Sequence, residues 1–306
     1  MAQKGTACPL VAKPFLKWAG GKGQLLEIIR QHYPLALGKQ ITKYAEPFVG
    51  GGAVLFDLLS RFAFQEVFIS DTNRELINTY LVVRDNVDQL ILLLGQLQKE
   101  YITLDSVGRK KYYYKKRDEY NSISITSDFQ QNINKAALFV FLNRTCYNGL
   151  YRVNSKNEFN VPAGAYKNPR ICDQDNLRAV SQLLQGVTIC CGYYTLSESF
   201  IDDKTFVYFD PPYRPLTKTA SFTAYTEKAF DEEAQIALAH YIDRLTEVKK
   251  AYVLASNSDP KNSDPHDDFF DDLYQGYNII RVNATRRINR NAYERGEVSE
   301  LLISNY

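Results

Sequence analysis

The chain has 306 residues, a formal net charge of +2 and a hydrophobic fraction of 45%, with 22 Tyr and 17 Phe. This length favours one large domain or one domain with an insertion, and the composition can bury a core, which excludes wholesale disorder. Five cysteines without a Cys-x-x-Cys pair argue against a disulfide framework or a zinc site, and they favour a reducing cytoplasm. The sequence shows neither a signal-peptide core nor an apolar run of about 20 residues, so we expect no membrane association.

The first part of the chain alternates strand and helix patterns. Residues 44–59 (YAEPFVGGGAVLFDLL) predict a strand, a glycine turn and an amphipathic helix, and residues 66–73 (EVFISDTN) predict a second strand that ends at a carboxylate. A long helical stretch follows at 75–101. This β-α-β-α start indicates a doubly wound α/β sheet.

The middle of the chain differs in character from both ends. Residues 75–172 contain a polar basic segment, an apolar helix (NKAALFVFLN) and a Gly/Asn-rich stretch with hairpin potential. From residue 187 strand and helix patterns alternate again, and the last 30 residues predict two strands joined by a basic loop. We therefore predict one α/β domain in two segments, 1–74 and 173–306, interrupted by an inserted module at 75–172.

Two strand ends near the N-terminus predict a ligand site. The glycine turn in FVGGGAV lets a ligand approach backbone N–H groups at a helix N-terminus, but Leu55 stands where a dinucleotide fingerprint has Gly or Ala. Asp71, at the tip of the next strand, is well placed to accept ribose hydroxyls. The alternative is that Asp71 or Asn73 only caps the following helix.

The segment FLKWAGGKGQL (15–25) is rich in glycine and lysine. It fails the phosphate-loop pattern because Leu16 replaces the first Gly and Gly23 replaces the Ser/Thr after the lysine. Trp18 and Lys22 could instead hold an aromatic, carboxylate-bearing ligand. The alternative is a buried tryptophan and a surface lysine.

The segment FVYFDPPY (206–213) places a carboxylate, two prolines and an aromatic ring at one strand tip. Asp210 can accept a hydrogen bond from an amine, and the carbonyls of Pro211 and Pro212 are acceptors without competing donors. Tyr213 offers a face for a flat ring. The segment suits a planar substrate with an amino group, and its alternative is an ordinary Asx-Pro turn.

DPPY, together with FLKWAGGK, FVGGG, ISDTN and NRTCYNGLYRVNSKNEFNVPAGAYK, resembles the Dam-type DNA adenine-N6 methyltransferases over nearly the whole chain. The resemblance implies a Rossmann-like class I methyltransferase sheet with an inserted, mainly helical target-recognition domain that carries a β-hairpin. It implies S-adenosylmethionine as cofactor and no metal. By match the expected cofactor contacts are Trp18, Lys22, Asp71 and Asp210, with Phe48 and Gly50 as the pocket wall.

The implied reaction is methyl transfer to the exocyclic N6 of an adenine flipped out of duplex DNA. Asp210 and the Pro211 carbonyl would hydrogen-bond the amino group, and Tyr213 would stack on the base. In the recognition module, Tyr147 would fill the gap left by the base and Asn148 would contact the site nearby. Arg152 suits guanine O6 and N7. Leu150 and Pro162 could meet a thymine methyl, and Lys17 and Tyr166 complete a set that implies GATC.

Two basic segments could contact phosphates. The segment RRINRNAYER (286–295), with Arg286 and Arg287, favours phosphate contact over a solvated face, whereas for GRKKYYYKKR (108–117) the two are evenly balanced. Alternative functions are a methyltransferase for RNA or protein glutamine and an inactive DNA-binding regulator; the hairpin and the intact DPPY argue against them. We expect a cytoplasmic monomer, and the sequence leaves open a cognate restriction endonuclease as partner.

Overall fold

The computed structural model describes residues 11–214, 230–285 and 297–306. Over these residues seven strands form one sheet in the order β3-β2-β1-β4-β5-β7-β6. Strands β1 to β5 pair in parallel, and β7 is antiparallel to both β5 and β6. The strands are β1 (Lys43–Glu46), β2 (Glu66–Asp71), β3 (Val187–Cys191), β4 (Thr205–Phe209), β5 (Tyr252–Ser258), β6 (Asn278–Thr285) and β7 (Glu297–Ser304). The predicted α/β sheet is confirmed, and it agrees with the Rossmann-like class I sheet that the resemblance implies.

Helices cover both faces of this sheet. In the described ranges they are α1 (Leu26–Gln31), α2 (Ala53–Arg61), α3 (Arg74–Asp85), α4 (Val87–Ile102), α5 (Ser106–Ser122), α6 (Phe129–Thr145), α7 (Gln174–Leu183), α8 (Glu232–Glu247) and α9 (Phe269–Leu273). The long helical stretch predicted at 75–101 is two helices. Asn86 (φ −144°, ψ 37°) leaves the helical region, and its N–H still bonds to the Val82 carbonyl, which ends α3. Asparagine favours such breaks because its side chain competes for backbone hydrogen bonds.

The buried strands divide their side chains between two cores, as strand alternation requires. Phe206, Tyr208 and Leu302 point to one face and join the core formed with α1 to α7. Val207 and Phe209 point to the other face, which α8 and α9 cover. Because both faces are covered, β4 is buried along its whole length.

The chain between β2 and β3 forms α3 to α7 and the Gly/Asn-rich stretch. Helix α3 contacts both the sheet and the helices beyond it: Arg84 donates to the Val187 carbonyl of β3 at 3.0 Å, and Asn78 donates to the Asn132 carbonyl of α6 at 3.0 Å. The inserted helices therefore share one apolar core with the face of the sheet on which they pack.

The predicted hairpin is present at residues 146–163. Antiparallel bridges join Cys146 to Ala163 and Val153 to Phe159. At the turn the Asn154 side chain accepts hydrogen bonds from the N–H groups of Lys156 and Glu158, both at 2.9 Å. Such an Asx-type turn closes the hairpin without a proline.

The part of the chain that the structure describes has no helix long and apolar enough to cross a membrane. Residues 11–214, 230–285 and 297–306 also contain no group of three or more His, Cys, Asp or Glu side chains that could hold a metal ion. The four cysteines in these ranges are free thiols.

Candidate active site

The sheet order reverses between β1 and β4: β2 and β3 lie on one side of this pair, β5 and its neighbours on the other. In open α/β sheets ligands bind beyond the carboxyl ends of the strands at such a switch point. The glycine turn follows β1, and the DPPY turn (Asp210–Tyr213) follows β4. Strand topology therefore places the two most prominent sequence motifs side by side.

The glycine turn lies against Trp18. Gly50 has φ +45°, and a Cβ atom on it would lie 2.9 Å from Cδ1 and Nε1 of the indole, so the position requires glycine. Gly52, with φ +71°, caps α2, and a Cβ there would lie 2.6 Å from the Tyr80 hydroxyl. On its other side the half-buried indole stacks on Tyr151 of the hairpin, with 5.9 Å between ring centroids and 20° between planes. Trp18 is thus clamped between the turn and the hairpin.

Asp71 joins the first two strand ends. Its Oδ2 accepts from the Gly50 N–H at 3.1 Å, and its Oδ1 accepts from the Asn73 N–H at 2.9 Å. Burial raises the pKa of the Asp71 carboxyl, and these backbone donors oppose the rise. Asn73 itself is the N-cap of α3, since its side chain accepts from the Leu76 N–H at 2.9 Å. The helix-cap alternative therefore applies to Asn73, while Asp71 ties the glycine turn to β2.

The DPPY turn is held by one buried lysine. Lys22 Nζ lies 2.7 Å from Asp210 Oδ1 and donates to the Tyr213 hydroxyl at 2.6 Å. The Tyr213 hydroxyl in turn donates to Glu300 Oε2 at 2.8 Å. Asp210 Oδ1 also accepts from the Ser256 hydroxyl at 3.0 Å. These contacts bring the N-terminal segment, β5 and β7 together at the tip of β4.

The charges at this tip are strongly coupled. Burial raises the pKa of the Asp210 carboxyl, and the Lys22 ammonium opposes that rise. Burial acts to lower the pKa of Lys22, but Asp210, Tyr208 and Glu300 outweigh it, and the Lys22 pKa is raised. Lys22 is thus a buried cation whose charge favours the ionised form of the neighbouring carboxylate. The surface-lysine alternative is wrong, since Lys22 is 4% exposed.

The two prolines differ in environment. Pro211 is buried, and Pro212 is exposed. The Pro212 carbonyl accepts from Gln235 of α8 at 3.0 Å, and Gln235 accepts from Asn257 of β5 at 3.0 Å. Helix α8 therefore fixes the second peptide of the turn. Phe48, after β1, packs its ring against Tyr194 at 5.6 Å between centroids, on the core face that α8 covers.

The structure also gathers the predicted base-reading residues. Lys17 Nζ lies 3.9 Å from the Tyr166 ring centroid, and the Lys17 stem lies so close to Gly149 (φ +64°) that a Cβ there would meet Lys17 Cδ at 2.4 Å. Next to Gly149, exposed Asn148 has φ +54°. Asn143 of α6 locks this contact, because its side chain bonds to both the N–H and the carbonyl of Lys17.

The other hairpin residues lie close by. Tyr147 is 54% exposed, and its N–H bonds to the Pro162 carbonyl at 2.9 Å. The Leu150 carbonyl accepts from the Cys146 thiol at 3.3 Å. Exposed Arg152 donates through Nε to Asn160 Oδ1 at 2.7 Å. The hairpin thus presents an aromatic ring and a guanidinium on one short segment.

Of the two basic segments, the structure describes one. In GRKKYYYKKR, Arg109 donates to the carbonyls of Ile102 and Lys167, which makes it a structural link between α4 and the chain after the hairpin. Lys110, Lys111 and Lys115 are exposed on α5. Arg286 and Arg287 lie outside the described residues.

Three side chains of the site were not predicted: Ser256, Gln235 and Glu300. Ser256 and Glu300 carry a sequence signal in retrospect. Each occupies the same face of its strand as a buried apolar neighbour two residues away, Leu254 and Leu302. A polar residue in an inward strand position needs a polar partner, but the sequence does not say which one.

Comparison with known proteins agrees with this geometry. The family model described as D12 class N6 adenine-specific DNA methyltransferase matches residues 18–288. The chain belongs to this family. It is 49% identical to the type II methyltransferase M.MjaIII of Methanocaldococcus jannaschii, over 96% of this chain and 99% of the relative. It is 37% identical to the DNA adenine methylase of Haemophilus influenzae (95% and 92%) and 35% identical to that of Escherichia coli (95% and 94%). The chain is therefore an adenine-specific DNA methyltransferase.

Proposed function

We propose that this enzyme transfers a methyl group from S-adenosylmethionine to the exocyclic N6 of an adenine flipped out of duplex DNA, within GATC. The observation that carries the proposal is the position of Asp210, a carboxyl group paired with Lys22 at 2.7 Å beside the glycine turn at the switch point. The proposed catalytic domain comprises 1–74 and 173–306, and the proposed recognition domain comprises 75–172.

The residues at this edge fit S-adenosylmethionine. The ligand is a nucleoside without phosphate groups, in keeping with an edge that lacks the phosphate-loop pattern at Leu16 and Gly23. Asp71 would hold the ribose, Trp18 and Phe48 would bound the cleft, and the Gly50 backbone would approach the amino-acid part. Lys22 and Asp210 offer charges of both signs, which suit the amino acid's carboxylate and ammonium. Bound there, the cofactor would supply an electrophilic sulfonium methyl group.

The chain's own residues would prepare the nucleophile. An exocyclic amino nitrogen is weakly nucleophilic, because its lone pair is delocalised into the purine ring. Hydrogen bonds from the amino group to Asp210 and to the Pro211 carbonyl would localise that lone pair and aim it. The Pro212 carbonyl accepts from Gln235, which fixes the turn, and the Pro211 carbonyl would face the substrate. Tyr213 would stack on the base, and holding both reactants in attack geometry would supply much of the rate.

The hairpin supports recognition of GATC. A flipped base leaves a gap in the duplex, and Tyr147, 54% exposed, would fill it. Arg152, oriented by Asn160, would bind guanine O6 and N7, and Lys17 with Tyr166 would contact the second guanine. Asn148, Leu150 and Pro162 would lie over the remaining bases. Arg286 and Arg287 are proposed phosphate contacts on the strength of the sequence alone.

Other expectations stay proposals. A cytoplasmic location is supported by four described cysteines that are free. Relatives named type II methyltransferase and relatives named DNA adenine methylase are both similar to this chain, so a cognate restriction endonuclease and a solitary role both stay open. The monomeric state stays a prediction.

The decisive experiment incubates plasmid DNA with labelled S-adenosylmethionine and maps the modified bases by sequencing. We expect N6-methyladenine within GATC; methylation at a different adenine site would refute the GATC assignment, and label on RNA or protein alone would refute DNA as the substrate. Asp210→Ala should abolish transfer while circular dichroism shows a retained fold. Asp202→Ala, at the amino end of the same strand, should keep activity. Transfer by the Asp210 variant would overturn the assigned role.

Cofactor binding can be measured without activity. Trp18 is the single tryptophan of the chain, so its fluorescence reports on the cleft alone. We expect titration with S-adenosylhomocysteine to change this fluorescence saturably, and Asp71→Ala to weaken the binding. Unchanged Trp18 fluorescence during titration of the wild type would contradict the proposed cofactor site.

A further inference from the structure

We propose that Glu300 of β7 is a positioning residue for catalysis, which acts by holding the Tyr213 hydroxyl. The proposal rests on the proposed role of the DPPY turn, and it adds a residue that lies nearly ninety positions away in the chain. Glu300 belongs to the antiparallel strand β7, whereas the glycine turn, Asp71 and the DPPY turn lie at the ends of the parallel strands β1, β2 and β4.

The strand geometry brings Glu300 to the site. In the sheet Glu300 pairs with Ser258 of β5 and Val282 of β6. It shares a face with Leu302, which lies in the core, because alternate residues of a strand point the same way. Its side chain is only 17% exposed. A carboxylate this well covered is costly unless it is hydrogen-bonded.

The bonding partner of Glu300 is the tyrosine of the DPPY turn. The Tyr213 hydroxyl donates to Glu300 Oε2 at 2.8 Å and accepts from Lys22 Nζ at 2.6 Å. The direct separation between Lys22 Nζ and Glu300 Oε2 is longer, 3.7 Å. Lys22 is already matched by Asp210 at 2.7 Å. The closest contact of Glu300 within this group is therefore the phenol, and Lys22 is neutralised mainly by Asp210.

Holding the hydroxyl fixes the ring. The tyrosine side chain turns about two bonds, and a hydroxyl fixed from both sides restrains rotation about the first. The proposed stacking of Tyr213 on the flipped adenine needs the ring to lie in one place. Glu300 thus holds the ring in place before the base arrives, which lowers the ordering cost of catalysis.

A double-mutant cycle tests the inference. Glu300→Ala and Tyr213→Phe should each lower kcat by about ten- to a hundredfold, the range for one charge-assisted hydrogen bond. The double variant should be no slower than the slower single variant, because both changes break the same bond. Glu300→Gln keeps an oxygen acceptor for the phenol and should recover most of kcat. Glu66→Ala, which removes an exposed carboxylate from the start of β2, is the matched control and should keep wild-type kcat.

The fluorescence of a base analogue at the target site distinguishes a positioning role from a loss of fold stability. With 2-aminopurine at the target adenine, wild type and Glu300→Ala should both flip the base, but the fluorescence of the flipped base should differ because the ring below it is no longer fixed. Multiplicative losses in the double variant, or a Glu300→Gln variant as slow as Glu300→Ala, would overturn the proposal. If Glu300→Ala does not fold, the cycle is run with Glu300→Leu, which fills the same space without an acceptor, and multiplicative losses with Tyr213→Phe overturn the proposal. The Asp210→Ala variant tests the proposed function independently, because activity in that variant would contradict the proposed function whatever the result of the Glu300 cycle.

Discussion

The 2.7 Å ion pair between Lys22 and Asp210 links two sequence motifs that lie nearly 190 residues apart. The residue types at the tips of β1, β2 and β4 could be predicted, because a motif is local and its chemistry follows from its side chains. The side chains that contact those residues could not be predicted. Ser256 and Glu300 are single polar residues in alternating strands, and only the strand order shows that both meet the DPPY turn.

Removal of the Lys22 charge should change the pH dependence of catalysis. Burial raises the pKa of Asp210 and Lys22 opposes this, so Lys22→Met should raise the Asp210 pKa further. The proposed acceptor is the ionised carboxylate, which is present above its pKa and lost as the pH falls. The acid limb of the kcat/KM profile should therefore move to higher pH, while Ser256, Tyr208, Glu46 and Glu300 still face Asp210. Lys43→Met, at the amino end of β1, should leave the limb in place; an unmoved limb in Lys22→Met contradicts the coupling.

In the proposed function, Arg152 recognises one guanine of the target site. Arg152→Ala should relax discrimination at one guanine of the target by about 1–3 kcal/mol, the value of one bidentate contact. The measurement is kcat/KM on duplexes that carry each base at that position. Lys156→Ala, at the hairpin turn, removes the same charge and should preserve discrimination. Equal discrimination in wild type and Arg152→Ala would exclude the contact.

Among the elements, α5 contacts the hairpin directly. Asn121 of α5 donates to the Phe159 carbonyl at 3.1 Å and accepts from the Phe159 N–H at 2.9 Å, and Tyr113 donates to the Val161 carbonyl at 2.8 Å. The segment that looks from the sequence like a basic charge run thus also supports the hairpin. The sequence predicts the hairpin from its turn residues and α6 from its apolar run. It does not predict the break at Asn86, because the apolar pattern continues across it.

Loss of the Asn121 contacts should affect DNA binding before cofactor binding. Asn121→Ala leaves two half-buried backbone groups of Phe159 without this partner, which should lower the free energy of unfolding by about 1–3 kcal/mol. We expect weaker affinity for a GATC duplex and an unchanged S-adenosylhomocysteine titration of Trp18. Asn157→Gly, at a turn position with φ +60°, is the control and should change neither. Equal losses of DNA affinity and cofactor affinity would contradict this prediction, because they would show that the hairpin contacts of Asn121 also affect cofactor binding.

For the whole molecule, a net charge of +2 is too small to attract DNA by itself. The affinity for DNA therefore depends on where the positive charges lie. If Arg286 and Arg287 contact phosphates, replacing both with Ala should weaken binding to all sequences alike. It should also reduce the slope of log K against log salt by about 2. The measurement is duplex affinity across a salt series. Lys249→Ala with Lys250→Ala, in the loop before β5, removes equal charge at the amino end of that strand and should leave the slope unchanged; the same slope in both double variants would exclude the phosphate contacts.

The position of β7 between β5 and β6 has a consequence for synthesis of the protein. A nascent chain that stopped after β6 would have every motif of the proposed cofactor cleft, yet β6 would have no strand to join it to the sheet. The unpaired edge of β5 would invite aggregation. Such a fragment would also lack the carboxylate at 300. Early termination of translation should thus yield an insoluble, inactive polypeptide instead of an active enzyme that methylates DNA without regulation.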